Sequence, residues 1–332
     1  MTEPSPIDDH GYRIAELRDS DIEGGIALMN ASFREILSGF GIPLSGRSEG
    51  DRCGLRFAHP SAKTAVALDA ADRVVAIALM VRYGSLVITG PMASIHPSAG
   101  ASIWAQAGSA IAGVGASELS LVTFPQSIGH HRLYQPLHDP LLTPMCPALA
   151  LSRAVEPRPS STAGPANLRR FSELGVDERW AALESSLELT SRLRGLDLRP
   201  EIRHIEAQGI GDTLLWMREG EVSGLACCHY GPRSEAFSDS QLLIKIAYAG
   251  GPEREQVFAD LIDGAERSAS SHGLTTIATM VPAWRRGPLL ALRERGYQPR
   301  ELHQYFHGEL RASGLSFEAR TFADEYLLTE MR

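Results

Sequence analysis

The sequence predicts an α+β protein built from two copies of one unit. Three observations carry this reading. The chain has 332 residues, more than the ~250–300 at which a single core stops growing, so two domains are expected. The same order of apolar and amphipathic runs occurs twice. Between the two runs lies "EPRPSSTAGP", residues 156–165, whose proline and serine content and lack of apolar periodicity are linker chemistry. The expected organisation is therefore an N-terminal domain over 1–155, a linker over 156–165, a C-terminal domain over 166–311 and a tail over 312–332.

The elements follow in order. Each half opens on a short strand and an amphipathic helix: "YRIAELR" with "DSDIEGGIALMNASFREIL", then "ANLRRFS" with "GVDERWAALESSLELTSRL". Two strands joined by a tight turn come next, "TAVALDA" into "VVAIALMVRYG" and "DTLLWMREG" into "EVSGLACCHYG"; their β-branched and apolar runs are bounded by Gly and Asp turns. A further strand follows, "SLVITGPMA" or "SQLLIKIAYAGG", and leads into a long helix. Those helices end at Gly115 and Gly273, 158 positions apart. Then come "ELSLVTFPQ" and "TTIATMVPA", and a second helix in "HHRLYQPLHDP" and "LLALRERGYQP". The tail "LSFEARTFADEYLLTEMR" carries enough apolar residues to dock on a domain.

Bulk properties exclude several classes. A formal charge of -8 and a pI near 5.8 argue against nucleic acid, which requires a concentrated basic face. No run reaches the ~18 apolar residues of a membrane span, and "MTEPSPIDDHGYR" lacks the regions of a signal peptide, so no membrane partner and a cytoplasmic location are expected. Four cysteines, at 53, 146, 227 and 228, show neither disulfide-framework nor metal spacing. Cys227 and Cys228 fall in a strand and are read as small buried hydrophobes on opposite faces.

The element order, with "ALRERGY" after the strand "TTIATMVPA", resembles the GNAT acyltransferase superfamily, present here in tandem. That resemblance implies two tandem GNAT-like domains, each a mixed, largely antiparallel sheet flanked by helices, whose central strands splay apart to admit the pantetheine arm of an acyl-CoA. It also implies a pyrophosphate site on backbone N–H groups at the start of the long helix. Free N–H groups and the helix dipole attract phosphate there, and glycines clear the space for it. The family signature is Q/R-x-x-G-x-G/A. In the second half its place is taken by "EREQVF", Glu253 to Phe258, where a carboxylate replaces Arg or Gln and Gln256 and Phe258 replace the glycines. That cradle is expected to bind no CoA. In the first half the matching stretch is "IHPSAGAS", so Pro97, Ser98, Ala99, Gly100, Ala101 and Ser102 are the expected carrier contacts. Ser98 and Ser102 could donate hydrogen bonds to phosphate oxygens, and the strand before them contributes Met92.

Acyl transfer from a thioester to an amine needs a neutral nucleophile, oxyanion stabilisation and a proton for the departing thiolate. The resemblance implies that a strand-edge amide polarises the carbonyl and that Tyr134, in "HHRLYQPLH", protonates the sulfur; the second half has Leu292 there. Ser127 and His130 are expected to contact the carrier. His96, His131 and Glu118 are nearby candidates for a base, each more simply read as a solvated or capping side chain. His229 and Lys245 are expected at the surface or between domains. "SGFGIPLSGRSEGDRCGLRF" should supply acceptor contacts. The expected activity is acyl-CoA-dependent N-acylation, with acetyl-CoA or another acyl-CoA as co-substrate, no metal, and a small-molecule amine as acceptor. The alternatives are a non-catalytic GNAT-like scaffold or a related enzyme using another acyl thioester.

Overall fold

The computed structural model describes residues 11–39, 52, 54–103, 115–123, 146–156, 164–193, 195–311, 314–316 and 326–329. They divide into two compact units, one of Met1–Met145 with Phe306–Ala319 and Arg332, the other of Cys146–Tyr305 with Arg320–Met331. Both are mixed α+β structures dominated by antiparallel pairing.

In the first unit the strands β1 (Arg13–Glu16), β2 (Ala62–Leu68), β3 (Val74–Tyr83), β4 (Leu86–Ser94) and β5 (Glu118–Thr123) lie side by side in that order. All pairings among them are antiparallel except β4 with β5. The two-residue period of β2 separates the faces: Ala65 and Ala67 join a cluster with Met80, Val87, Met92, Ala99 and Ile103, whereas Val66 and Leu68 meet Leu28, Met29 and Ile77. Leu28 and Met29 come from helix α1 (Ile22–Gly39), which packs on β3 and β4. It approaches so closely that a Cβ on Gly25 would lie 2.8 Å from the Ile77 Cδ1. Helix α2 begins at residue 97 and is described to 103.

The second unit contains β6 (Cys146–Ala154), β7 (Leu168–Arg170), β8 (Gly211–Arg218), β9 (Glu221–His229), β10 (Gln241–Ala249), β11 (Thr276–Pro282), the Gln298–Tyr305 part of β12 (Gln298–Arg311), and β14 (Tyr326–Thr329). Across its sheet the order is β12, β6, β11, β10, β9, β8, β7. The short β13 (Gly314–Ser316) pairs with Glu309–Arg311 of β12 in the first unit. Helices α3 (Val176–Ser191), α4 (Arg199–Gln208), α5 (Arg254–Ser271) and α6 (Arg286–Glu294) complete the fold. The inward face of α5 places Val257, Phe258, Leu261, Ile262, Ala265 and Ala269 in one core with Leu214, Trp216, Ile244 and Ile277, a stripe at helical spacing.

The unit boundary at Met145 precedes the expected linker. The reason lies in β6, which pairs with β11 from Thr276↔Ala154 to Pro282↔Ala148 and with β12 from Gln298↔Ser152 to Tyr305↔Cys146. Both its edges are thus satisfied by strands of the second half, and Arg153 of β6 forms a 2.9 Å ion pair with Glu266 of α5. In return, Phe306–Arg311 of β12 belongs to the first unit. No described helix is long and apolar enough to cross a membrane.

Two glycines separate packing from propensity. A Cβ on Gly211 would lie 1.8 Å from the Cys228 carbonyl oxygen, so β8 cannot keep its register against β9. Gly211→Ala should therefore cost about 3 kcal/mol in urea denaturation. Gly24, whose Cβ would meet Val74 at an ordinary 3.5 Å, should gain about 0.5–1 kcal/mol as Ala from helix propensity.

Candidate functional site

The first-unit site grows from the end of β4. Strands β4 and β5 run parallel in register from Leu86↔Glu118 to Thr89↔Leu121. On the other side, β4 shifts register against β3 between Thr89↔Met80 and Met92↔Ala78, so that Gly90 and Pro91 face one β3 residue. This bulge bends the strand where its pairing with β5 ends. It depends on Gly90, whose φ of +142° suits glycine. Arg56, itself buried, donates from Nη1 to the Gly90 carbonyl at 3.0 Å. Met92 resumes the β3 pairing and buries its side chain in the core, leaving its backbone as the part open to other uses.

Helix α2 follows after a short turn. The Ser94 hydroxyl donates to the His96 carbonyl and accepts from the His96 N–H. Pro97 occupies the first helical position, where its missing N–H costs nothing. The first helical bond is Gly100 N–H to His96 O at 3.1 Å. The N–H groups of Ser98 and Ala99 therefore precede the ladder and point, with the positive end of the helix dipole, out of its start. Ala99 and Ile103 anchor the turn in the core, Gly100 is buried, and Pro97 and Ala101 are exposed. The serine hydroxyls make local contacts. Ser102 donates to the Ser98 carbonyl at 3.0 Å, and Ser98 lies 3.4 Å from the Tyr12 hydroxyl. The Ser98 and Ala99 amides are donors ahead of the ladder, whereas the Ser102 hydroxyl is engaged within the helix. Ser127, His130, His131 and Tyr134 lie outside the described residues. Among the other sequence candidates, His96 is exposed, and Glu118 is buried at the head of β5, not solvated.

The second unit repeats the frame with different contents. Strands β10 and β11 are parallel only from Gln241↔Thr276 to Ile244↔Thr279, and the Thr279 hydroxyl closes the pair by donating to the Ile244 carbonyl. A register shift against β9 falls at the next residue, Lys245. From Ile246 to Ala249, β10 pairs instead with β14. Helix α5 starts one residue after Glu253. Phe258 does not obstruct that start, contrary to expectation, because helical geometry turns it fully into the core. Gln256 lies along the exposed helix surface and donates to Asp260 at 2.8 Å, and Glu253 is paired with Arg218 at 3.0 Å. The carboxylate of Glu253 thus has a cation beside it.

His229 and Lys245 are buried inside the second unit, correcting the surface or interdomain placement expected for them. Lys245 Nζ donates to both Glu201 oxygens at 3.0 Å and to Glu235 at 2.7 Å. His229 Nε2 meets Glu201 at 2.7 Å. Glu201, His229 and Glu235 present ligand atoms within 4.8 Å of one another, but the Lys245 ammonium already sits against both carboxylates. Sequence reasoning missed Glu201 because it missed α4; Pro200 near the helix start and Gly209 at its end, with φ of +59°, were the available signals. Cys227 and Cys228 are both fully buried, and burial pushes both thiols up, which disfavours the thiolate form.

The fold is similar to those of solved GNAT acetyltransferases, among them a tandem GNAT protein. No family model and no curated protein matches the sequence; the likeness is structural. A putative acetyltransferase from Pyrococcus horikoshii is similar over 98% of this chain and 97% of its own, with TM-score 0.60 and 11% identity. A tandem GNAT protein from the clavulanic acid biosynthesis pathway is similar over 90% of this chain and 99% of its own, with TM-score 0.52 and 14% identity. N-myristoyltransferase from Saccharomyces cerevisiae, solved with bound myristoyl-CoA, covers 97% of this chain with 83% of its own, with TM-score 0.59 and 9% identity.

The buried charge cluster generates a stability test. Lys245→Met leaves two buried carboxylates without their ammonium and should cost about 3–5 kcal/mol in chemical denaturation. Adding Glu201→Gln and Glu235→Gln should restore much of that loss.

Proposed function

We propose that this protein is an acyl-CoA-dependent N-acyltransferase, with acetyl as the first acyl group to test, acting on a small-molecule amine by direct transfer in its first unit. The observation that carries the reading is the start of α2: two backbone N–H groups ahead of the helical ladder, at the end of a strand that parts from its parallel neighbour. Such a helix start binds phosphate through its amides and dipole. The parted strand offers main-chain groups to the amides of an extended carrier arm. Solved neighbours include acetyltransferases and a protein with bound myristoyl-CoA, which is consistent with an acyl-CoA co-substrate.

On this reading Pro97 to Ser102 hold the pyrophosphate, with Ser98 and Ala99 as donors and Gly100 keeping the backbone close. The strand edge at Met92 orients the thioester carbonyl. A neutral amine attacks that carbonyl carbon, the oxyanion collapses, and the C–S bond breaks. Tyr134 gives the departing thiolate its proton, with Ser127 and His130 beside the carrier arm. Water relays the proton lost by the amine.

The test is a panel of amines with acetyl-CoA, read by thiol release. Ala101→Glu alters an exposed position and sets a carboxylate beside the phosphate; it should raise the KM for acetyl-CoA at least tenfold, as should Gly100→Trp. Gln256→Trp in the second unit should leave it unchanged. Equal losses in the two units would reverse the assignment. Tyr134→Phe keeps the ring but deletes the proton and should lower turnover by ~10²- to 10⁴-fold with acyl-CoA affinity nearly constant. Normal turnover, with chemistry rate-limiting, would make Tyr134 a packed ring only.

A further inference from the structure

We infer that the C-terminal strand Tyr326–Thr329 is a built-in ligand of the second unit, seated in the fork between β10 and β11 and closing that fork to any other extended molecule.

The argument begins with backbone accounting. A strand that leaves its neighbour midway exposes N–H and C=O groups, which must find partners if buried. β10 leaves β11 after Ile244, yet Ile246, Ala247, Tyr248 and Ala249 are all buried. Their groups on the β9 side are satisfied by the continuing antiparallel ladder, Ile246↔Cys227 to Ala249↔Gly224. On the β11 side they face β14, with pairs Ile246↔Thr329, Ala247↔Leu328, Tyr248↔Leu327 and Ala249↔Tyr326. The segment also lies against β11 itself and against α5 and α6. It therefore fills the fork rather than extending a free edge. Its four residues leave no length of β10 open before Gly250, whose own Cβ would collide with Leu189 at 2.7 Å.

The inference bears on the proposed function, since it supplies the physical reason why only one unit takes an acyl carrier. The charge at the start of α5 is a weaker reason, because Arg218 accompanies Glu253. A four-residue strand held at one end of the chain is also exchangeable in principle: the main-chain pairing that holds it in cis serves equally for the same sequence in trans.

The experiment uses strand complementation and does not depend on catalysis or acyl-CoA binding, so it can fail independently of the proposed function. A chain ending at residue 325 is mixed with a fluorescent synthetic peptide of residues 324–332, and binding is read by anisotropy. The same peptide is added to the full chain. The truncated chain should bind it with one site per molecule, and the full chain at least tenfold more weakly because its own segment competes. Should the truncated chain fold poorly, Leu327→Pro with Leu328→Pro in the full chain removes two N–H donors from the segment; hydrogen exchange at the alternate residues of Ile246–Ala249 whose N–H groups face the segment should then accelerate at least tenfold while that at Leu242–Ile244 stays slow. Equal peptide binding by truncated and full chains, no binding by a folded truncated chain, or unchanged exchange in the proline variant would overturn the inference.

Discussion

The structure depends on one constraint: a parallel strand pair that parts midway must still satisfy its main chain. Both units contain such a pair, β4 with β5 and β10 with β11, and in both the parting coincides with a register shift on the opposite edge. The bulge turns the strand as its partner is lost, so the gap opens in front of a helix whose first N–H groups have no acceptor in the ladder. On the proposed reading, fork and helix start together would receive an extended molecule ending in phosphate. In the second unit the chain supplies β14 for the fork; in the first, among the described residues, β4 beyond Thr89 pairs only with β3.

The two bulges are held by different chemistry. Gly90 and Pro91 give up a side chain and an N–H, and the Arg56 guanidinium donates to the buried Gly90 carbonyl. At the corresponding place in the second unit stands Lys245, buried among Glu201, Glu235 and His229. A compact network of that kind ties the strand to Glu201 and Glu235 at its turn, at the cost of desolvating several charged groups. The first unit keeps its turn small and polar at the backbone, which suits a site that exchanges ligands. The second invests its turn in a fixed core, which suits a unit whose fork is filled by the chain itself.

Much of this was legible in the sequence, and the misses have physical causes. Strand runs such as "VVAIALMVRYG" and "SQLLIKIAYAGG" carry their own signal in composition and length, and the repeat made each reading check the other. Exchange of β6 and β12 between the units was not legible, because pairing partners depend on three-dimensional adjacency, not on local pattern. Phe258 was misread since a motif fixes position along a helix but not which face the residue turns inward. Lys245 and His229 were misread because a buried charge is recognised only through its partners, and Glu201 lies 44 and 28 residues away from them. The docking of the tail was expected from its apolar content, but its place on β10 required the register.

The central claim is that two similar frames divide their labour, one open to an acyl carrier and the other closed by its own chain. Isothermal titration of the full chain with acetyl-CoA tests it most directly. The account predicts a single site per chain, lost in Ala101→Glu and retained in Gln256→Trp. Two sites per chain, or one site that survives Ala101→Glu and disappears in Gln256→Trp, would contradict it.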